Sequence, residues 1–295
     1  MNREQLEQMR YGSGFIAALD QSGGSTPSAL AHYGIPPEAY NGDVEMLNLI
    51  HEMRARIMTD PSFRGDKIIG AILFEDTMDR QVAGLDTANY LWSMRRVVPF
   101  VKVDKGLAAE QDGVRCMNPI PGLEALMERA LAHGIFGTKM RSFIRLANPR
   151  GVRAIVEQQF EVGRTIVARG LVPILEPEID ITSPEKRLAE SLLRDALLEG
   201  LGSLSPDELV MLKLTLPEDD DYYRPLIEHP NVVRVVALSG GYSRDEATAR
   251  LARNHGMIAS FSRALTEGLT VDMSDAAFEA EFKSAVEQVF AASIT

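Results

Sequence analysis

The chain has 295 residues, 45% hydrophobic and 25% charged, with a formal net charge of −11 and one cysteine, Cys116. That size and composition fit a soluble globular protein with a sizeable core, of one or two domains or a single α/β barrel of about 250 residues. The negative charge argues against binding nucleic acid or an anionic membrane, and a lone cysteine excludes an intrachain disulfide.

The opening stretch MNREQLEQMRYG is polar and lacks an apolar signal region. No apolar run reaches the roughly 20 residues needed to span a bilayer. The expected location is therefore cytoplasmic. His32, His51, His133, His229 and His255 are scattered without metal-ligand spacing, so no metal is expected.

In chain order, residues 14–20 (GFIAALD) predict a first strand, after which Ser25 or Thr26 would cap a helix carrying Pro27 in its first turn. A helix follows over 44–58, then a second strand over 67–75. Residues 76–94 are mixed and predict a long loop with short helices. A third strand covers 100–105, with an extended loop over 106–121. Residues 122–132 predict a helix and 135–141 a fourth strand. Asn148-Pro149 opens a helix that ends at Gly170, and 171–179 form a fifth strand. Ser183-Pro184 opens the next helix, ending at Gly200, before a sixth strand over 210–216. A seventh strand spans 232–239. Ser243 to Glu246 is a capping-box sequence for a helix ending at Gly256. The eighth strand spans 257–263, and Ser274 opens a last helix with Phe278, Phe282, Val286 and Val289 inward.

Eight buried strands, most followed by helices, predict a single (β/α)8 TIM barrel over residues 1–295. The helices leave room for a homo-oligomer.

In the sixth strand, VMLKLTL, Met211, Lys213 and Thr215 share one face and Leu212 and Leu214 the other. A lysine among apolar neighbours either snorkels to water or is held in a pocket, where its neutral amine is a nucleophile towards carbonyls. The other strand ends decide between these. They carry Asp20, Glu75, Lys102 with Asp104, Lys139 with Arg141, Glu176 with Glu178, Ser239 and Arg263. Barrel enzymes place their chemistry at this face, and buried ions need partners.

The cations Lys102, Lys139, Arg141, Lys213 and Arg263 outnumber the clear anions Asp20, Glu176 and Glu178, which predicts an anionic ligand. Ser239-Gly240-Gly241 offers backbone N–H groups after strand seven, and Arg263 a guanidinium after strand eight, a common phosphate arrangement in barrels. Lys139 and Arg141 are expected to disfavour a second positive charge at Lys213. Glu176 and Glu178 offer carboxylates for proton transfer.

The motifs AALDQSGGS (17–25), ILFEDT (72–77), KVDKG (102–106), TKMR (138–141), VPILEPEI (172–179), MLKL (211–214), LSGG (238–241) and SFSRAL (260–265) together resemble class I (Schiff-base) fructose-bisphosphate aldolase in its shorter bacterial form. The resemblance covers most of the chain. It implies that Lys213 forms an imine with the ketose, that Glu176 shuttles protons beside a second carboxylate, Glu178, and that Asp20 handles the C4 hydroxyl proton. Lys139 and Arg141 match site cations. Ser239, Gly240 and Arg263 match the C1-phosphate site, and Ser22, Ser25 and Lys102 the C6-phosphate contacts. No cofactor is implied, since the protonated imine is itself the electron sink.

The chain departs from the animal pattern at four positions. Gln21 stands for glutamate, Met140 for tryptophan, Leu214 for proline and Ser262 for glycine. A tyrosine-ended tail does not follow the last helix. Outside this family the residues fit a Schiff-base aldolase or transaldolase for another sugar phosphate, or a non-catalytic sugar-phosphate-binding barrel. A metal-dependent aldolase would require the clustered histidines that are missing here.

Overall fold

Eight apolar segments of strand length close on themselves in a computed structural model that describes residues 1–295. They are β1 (Phe15–Leu19), β2 (Ile68–Leu73), β3 (Val98–Lys102), β4 (Gly137–Ile144), β5 (Val172–Ile179), β6 (Val210–Thr215), β7 (Val232–Leu238) and β8 (Ile258–Phe261). Each pairs in parallel with the next, and β8 pairs with β1 through Ile16↔Ser260 and Ala17↔Phe261. The result is the predicted closed (β/α)8 barrel.

Strand alternation separates two apolar shells. Ile16, Ile72, Phe100, Ile174, Met211 and Val236 fill the barrel interior. Their strand neighbours, such as Met140, Leu175, Leu212 and Leu214, face the helices. On β6 this puts Lys213 on the inward face with Met211, as the sequence pattern requires. Burying an apolar side chain of this size contributes about 1.5–3 kcal/mol, so the register of each strand is strongly specified.

The principal helices are α1 (Arg3–Tyr11), α2 (Ser25–His32), α3 (Gly42–Thr59), α4 (Leu123–Ala132), α5 (Pro149–Ala168), α6 (Lys186–Gly202), α7 (Arg244–Leu251) and α8 (Asp275–Ser293). Asn148 caps α5 by accepting from the Arg150 and Gly151 N–H groups at 3.0 and 3.2 Å, with Pro149 in the first turn. Ser243 and Ser274 cap α7 and α8. The cap expected for α2 is not made by Ser25 or Thr26; Gly24 takes that position with no side-chain bond. The Ser25 hydroxyl instead donates to Ser22 O and accepts from Ser22 N–H, each at 2.9 Å, closing the loop before the helix.

Three further features depart from the sequence reading. Helix α1 plugs the N-terminal end of the barrel: Met9 packs among the interior residues, and Arg234 donates to the carbonyls of Met9 and Gly12. Strand β4 runs three residues past Arg141, where Val114–Arg115 pairs with it antiparallel. Strand β8 stops at Phe261, and Arg263 opens a short helix, Arg263–Thr266. No helix is long and apolar enough to cross a membrane.

Candidate active site

The strands end around a cleft of about 1230 Å3 at the C-terminal face of the barrel. The twelve residues given a role from the sequence all line it: Asp20, Ser22, Ser25, Lys102, Lys139, Arg141, Glu176, Glu178, Lys213, Ser239, Gly240 and Arg263. Glu75 does not; it begins the short helix Glu75–Met78 and pairs with Lys105 and Arg129 at 2.6 and 2.5 Å.

Lys213, Glu176, Lys139 and Asp20 form an alternating chain of charge at the bottom of the cleft. Lys213 Nζ lies 2.9 Å from Glu176 Oε1, Lys139 Nζ lies 2.9 Å from Glu176 Oε2, and Lys139 Nζ lies 2.5 Å from Asp20 Oδ2. All four residues are buried.

This order corrects one expectation. Lys139 and Arg141 were expected to press their positive charge on Lys213, but Glu176 stands between Lys139 and Lys213, and Arg141 pairs with Glu178. The nearest charge to the Lys213 amine is a carboxylate.

The electrostatics follow from that alternation. Burial alone would raise the Asp20 carboxyl, but Lys139 and Lys213 overcome it and hold the group at about 2, against an ordinary 3.8. Burial likewise opposes ionisation of Glu176, and the same two lysines push its pKa below the usual range. For Lys139, burial disfavours the charged form, yet Asp20, Glu176 and Asp104 raise its pKa. Lys139 is thus a cation between two carboxylates that rest ionised.

Asp104, on the loop after β3, is a fourth anion of the cleft. It lies 2.8 Å from Lys102 Nζ and accepts from the backbone N–H groups of Gly106 and Arg141, each at 3.2 Å. Seven Lys or Arg and five Asp or Glu side chains line the cleft, so cations remain in excess in a chain of net charge −11. Lys102, Lys139, Arg141 and Lys213 are each paired with a carboxylate. Arg263 is the strand-end cation with none. Its Nη2 reaches within 3.6 Å of where a Cβ on Gly241 would lie, so its guanidinium sits over the Ser239-Gly240-Gly241 turn. Gly240 has φ 61°, and a Cβ there would meet Ile181 Cγ2 at 2.6 Å. Only glycine fits that turn.

Sequence reasoning missed Arg54, which is fully buried in α3. Its Nη1 donates to Thr77 Oγ1 at 2.8 Å, and its Nη2 to Gln21 O at 2.5 Å. The available signal was an arginine within the stripe formed by Ile50, Met53 and Ile57, where a cation has no reason to sit unless it is bonded.

A family model described as fructose-bisphosphate aldolase class-I matches residues 11–191. A protein of Synechocystis sp. named fructose-bisphosphate aldolase class 1 is 60% identical over 294 residues, covering 100% of this chain and 98% of its own length. A protein of the same name from Porphyromonas gingivalis is 56% identical, with 100% of each chain covered. Among solved structures, a fructose-bisphosphate aldolase from Plasmodium falciparum superposes with a TM-score of 0.77 at 20% identity, over 98% of this chain and 92% of that one. At that identity the structural likeness speaks to the fold.

Proposed function

The chain belongs to the class-I fructose-bisphosphate aldolases, and on that premise we propose the residues that carry its reaction, the reversible cleavage of fructose 1,6-bisphosphate to dihydroxyacetone phosphate and glyceraldehyde 3-phosphate. The observation that carries the assignment is the buried Lys213 amine with a carboxylate oxygen at 2.9 Å.

Lys213 gives a proton to Glu176 and attacks the C2 carbonyl, forming a carbinolamine. Glu176 returns the proton to the departing hydroxyl, water leaves, and a protonated imine remains. Asp20 accepts the C4 hydroxyl proton as the C3–C4 bond breaks. The electron pair of that bond flows into the imine, giving an enamine on Lys213 and the aldehyde of glyceraldehyde 3-phosphate. Protonation at C3 and hydrolysis then release dihydroxyacetone phosphate. A carboxylate held at about 2 is ionised but a weak base. The C4 proton transfer therefore draws its driving force from electron flow into the imine rather than from Asp20 alone. Lys139 keeps both Asp20 and Glu176 ionised and oriented. The turn at Ser239 and Gly240 with Arg263 binds the C1 phosphate, and Ser22, Ser25 and Lys102 bind the C6 phosphate.

Borohydride reduction in the presence of dihydroxyacetone phosphate, followed by intact mass and peptide mapping, tests the assignment. One irreversible adduct on Lys213, lost in Lys213→Met, is the expected result. Undiminished cleavage by Lys213→Met would remove the mechanism.

A further inference from the structure

Two of the positions where this chain departs from the animal sequence pattern meet in space. Gln21 Nε2 donates to Ser262 Oγ at 2.7 Å, across 241 residues of sequence. Gln21 is the second residue after β1 and Ser262 the first after β8, and those strands are neighbours in the closed barrel. The bond therefore continues the β1–β8 seam beyond the last backbone pair. On one side of it lie Ser22 and Ser25, and on the other Arg263.

Arg54 holds the Gln21 end in place. Its Nη2 donates to Gln21 O at 2.5 Å and also reaches Gln21 Oε1 at 3.3 Å. A guanidinium only donates, so it turns the amide oxygen of Gln21 inward and leaves the amide N–H2 facing Ser262. Its partners here are uncharged oxygens, and its Nε has no partner. A buried cation held in that way is costly unless what it orders repays the desolvation.

We propose that Arg54, Gln21 and Ser262 form a clasp that fixes the separation of the two phosphate-binding loops, and so sets preference for a ligand carrying phosphate at both ends over one carrying it at the C1 end alone. The inference rests on the assignment of those loops made above. The physical basis is effective concentration. Once the C1 phosphate is seated, the second phosphate binds intramolecularly, and the advantage depends on how closely the loop spacing is held to the ligand's length. A ligand with one phosphate draws no benefit from a fixed spacing. Gln21 and Ser262 are positioning residues that act through their loops.

The test is a double-mutant cycle on Gln21→Ala and Ser262→Ala, with steady-state kinetics on fructose 1,6-bisphosphate and fructose 1-phosphate. Loss of one hydrogen bond predicts a KM for the bisphosphate raised about fivefold in either single variant. The double variant should fall within about twofold of the singles, because the two residues make one interaction. Turnover of fructose 1-phosphate should stay within about twofold of the parent in all three. Gln21→Glu should retain the parental KM, since its carboxylate can accept from the Ser262 hydroxyl and still receive the Arg54 donor. Parallel losses on both substrates, or additive effects in the double variant, would overturn the clasp. A parent that cleaves neither ketose would overturn the loop assignments instead. Should Ser262→Ala fail to fold, the Gln21→Ala and Gln21→Glu pair decides the matter on the same readouts.

Discussion

Lys213 Nζ lies 2.9 Å from Oε1 of Glu176, so on the proposed mechanism the amine that gives up a proton already touches the group that takes it. The same carboxylate lies 2.9 Å from Lys139, whose pKa is raised by Asp20 and Glu176 beside it. In the proposed role, Glu176 passes a proton between neighbours without the site changing net charge. Replacing it by the isosteric amide removes the base and leaves the shape. Glu176→Gln is expected to lower kcat by about 10²–10⁴, the usual range for general acid–base catalysis. Borohydride trapping should still label Lys213, only more slowly. Labelling at the parental rate would show that imine formation does not pass through Glu176.

Asp20 links the site to stability. Its carboxyl sits at about 2 in the folded protein, against 3.8 for the free group. A depressed carboxyl stabilises the fold above the unfolded value, and that contribution is lost as pH falls from 3.8 through 2. The difference amounts to roughly 2 kcal/mol for so buried a group. Asp20→Asn cannot make this contribution. The gap in unfolding free energy between parent and variant should narrow as pH is lowered from about 5 to about 2, as measured by urea denaturation. A gap constant with pH would show that the Lys139 pair does not set the ionisation of Asp20.

How much of this was legible beforehand depended on the kind of interaction. All eight strands stand out because a parallel barrel buries both faces, leaving apolar runs such as KIIGAILFE and VVRVVALS. Helix α1 escaped because its inward residues are few: Gln5 and Met9 buried and Leu6 partly so, among charged and amide neighbours. Strand β4 continues past Arg141 because alternation buries Ser142 and Ile144, a short pattern that the charge at 141 obscures in the sequence. The cleft residues were found because strand ends converge in this fold. Their pairing was not, because which carboxylate reaches which ammonium depends on strand tilt and side-chain length. Arg54 lies outside that logic, on a helix, and its purpose is visible only once Gln21 is placed beside it.

Gly240 makes a prediction about backbone rather than charge. Its φ of 61° and the Ile181 methyl at 2.6 Å from a would-be Cβ mean that alanine must displace the turn. The strain is on the order of 1–2 kcal/mol, and the displaced group is the N–H array assigned to the C1 phosphate. Gly240→Ala should raise KM for both fructose 1,6-bisphosphate and fructose 1-phosphate about tenfold, with Lys213 still trapped at saturating substrate. An unchanged KM would place the C1 phosphate elsewhere.

On the proposed assignment, Lys102 and Arg263 hold opposite ends of the substrate. Lys102 is partly neutralised by Asp104 at 2.8 Å, whereas Arg263 has no carboxylate partner. An unpaired guanidinium is the stronger anion anchor, because a phosphate does not have to displace an existing ion pair. Arg263→Ala should therefore cost more than Lys102→Ala on the bisphosphate, about 100-fold against about 10-fold in kcat/KM. On fructose 1-phosphate the Arg263 variant should lose as much again, while the Lys102 variant should match the parent, since the C6 end carries no phosphate there. Kinetics on the two substrates read both arms. Equal losses for Lys102→Ala on both would move Lys102 from the C6 phosphate to the part of the ligand they share, and its contact with Asp104 would then be the route by which it acts on Arg141 and the base of the cleft.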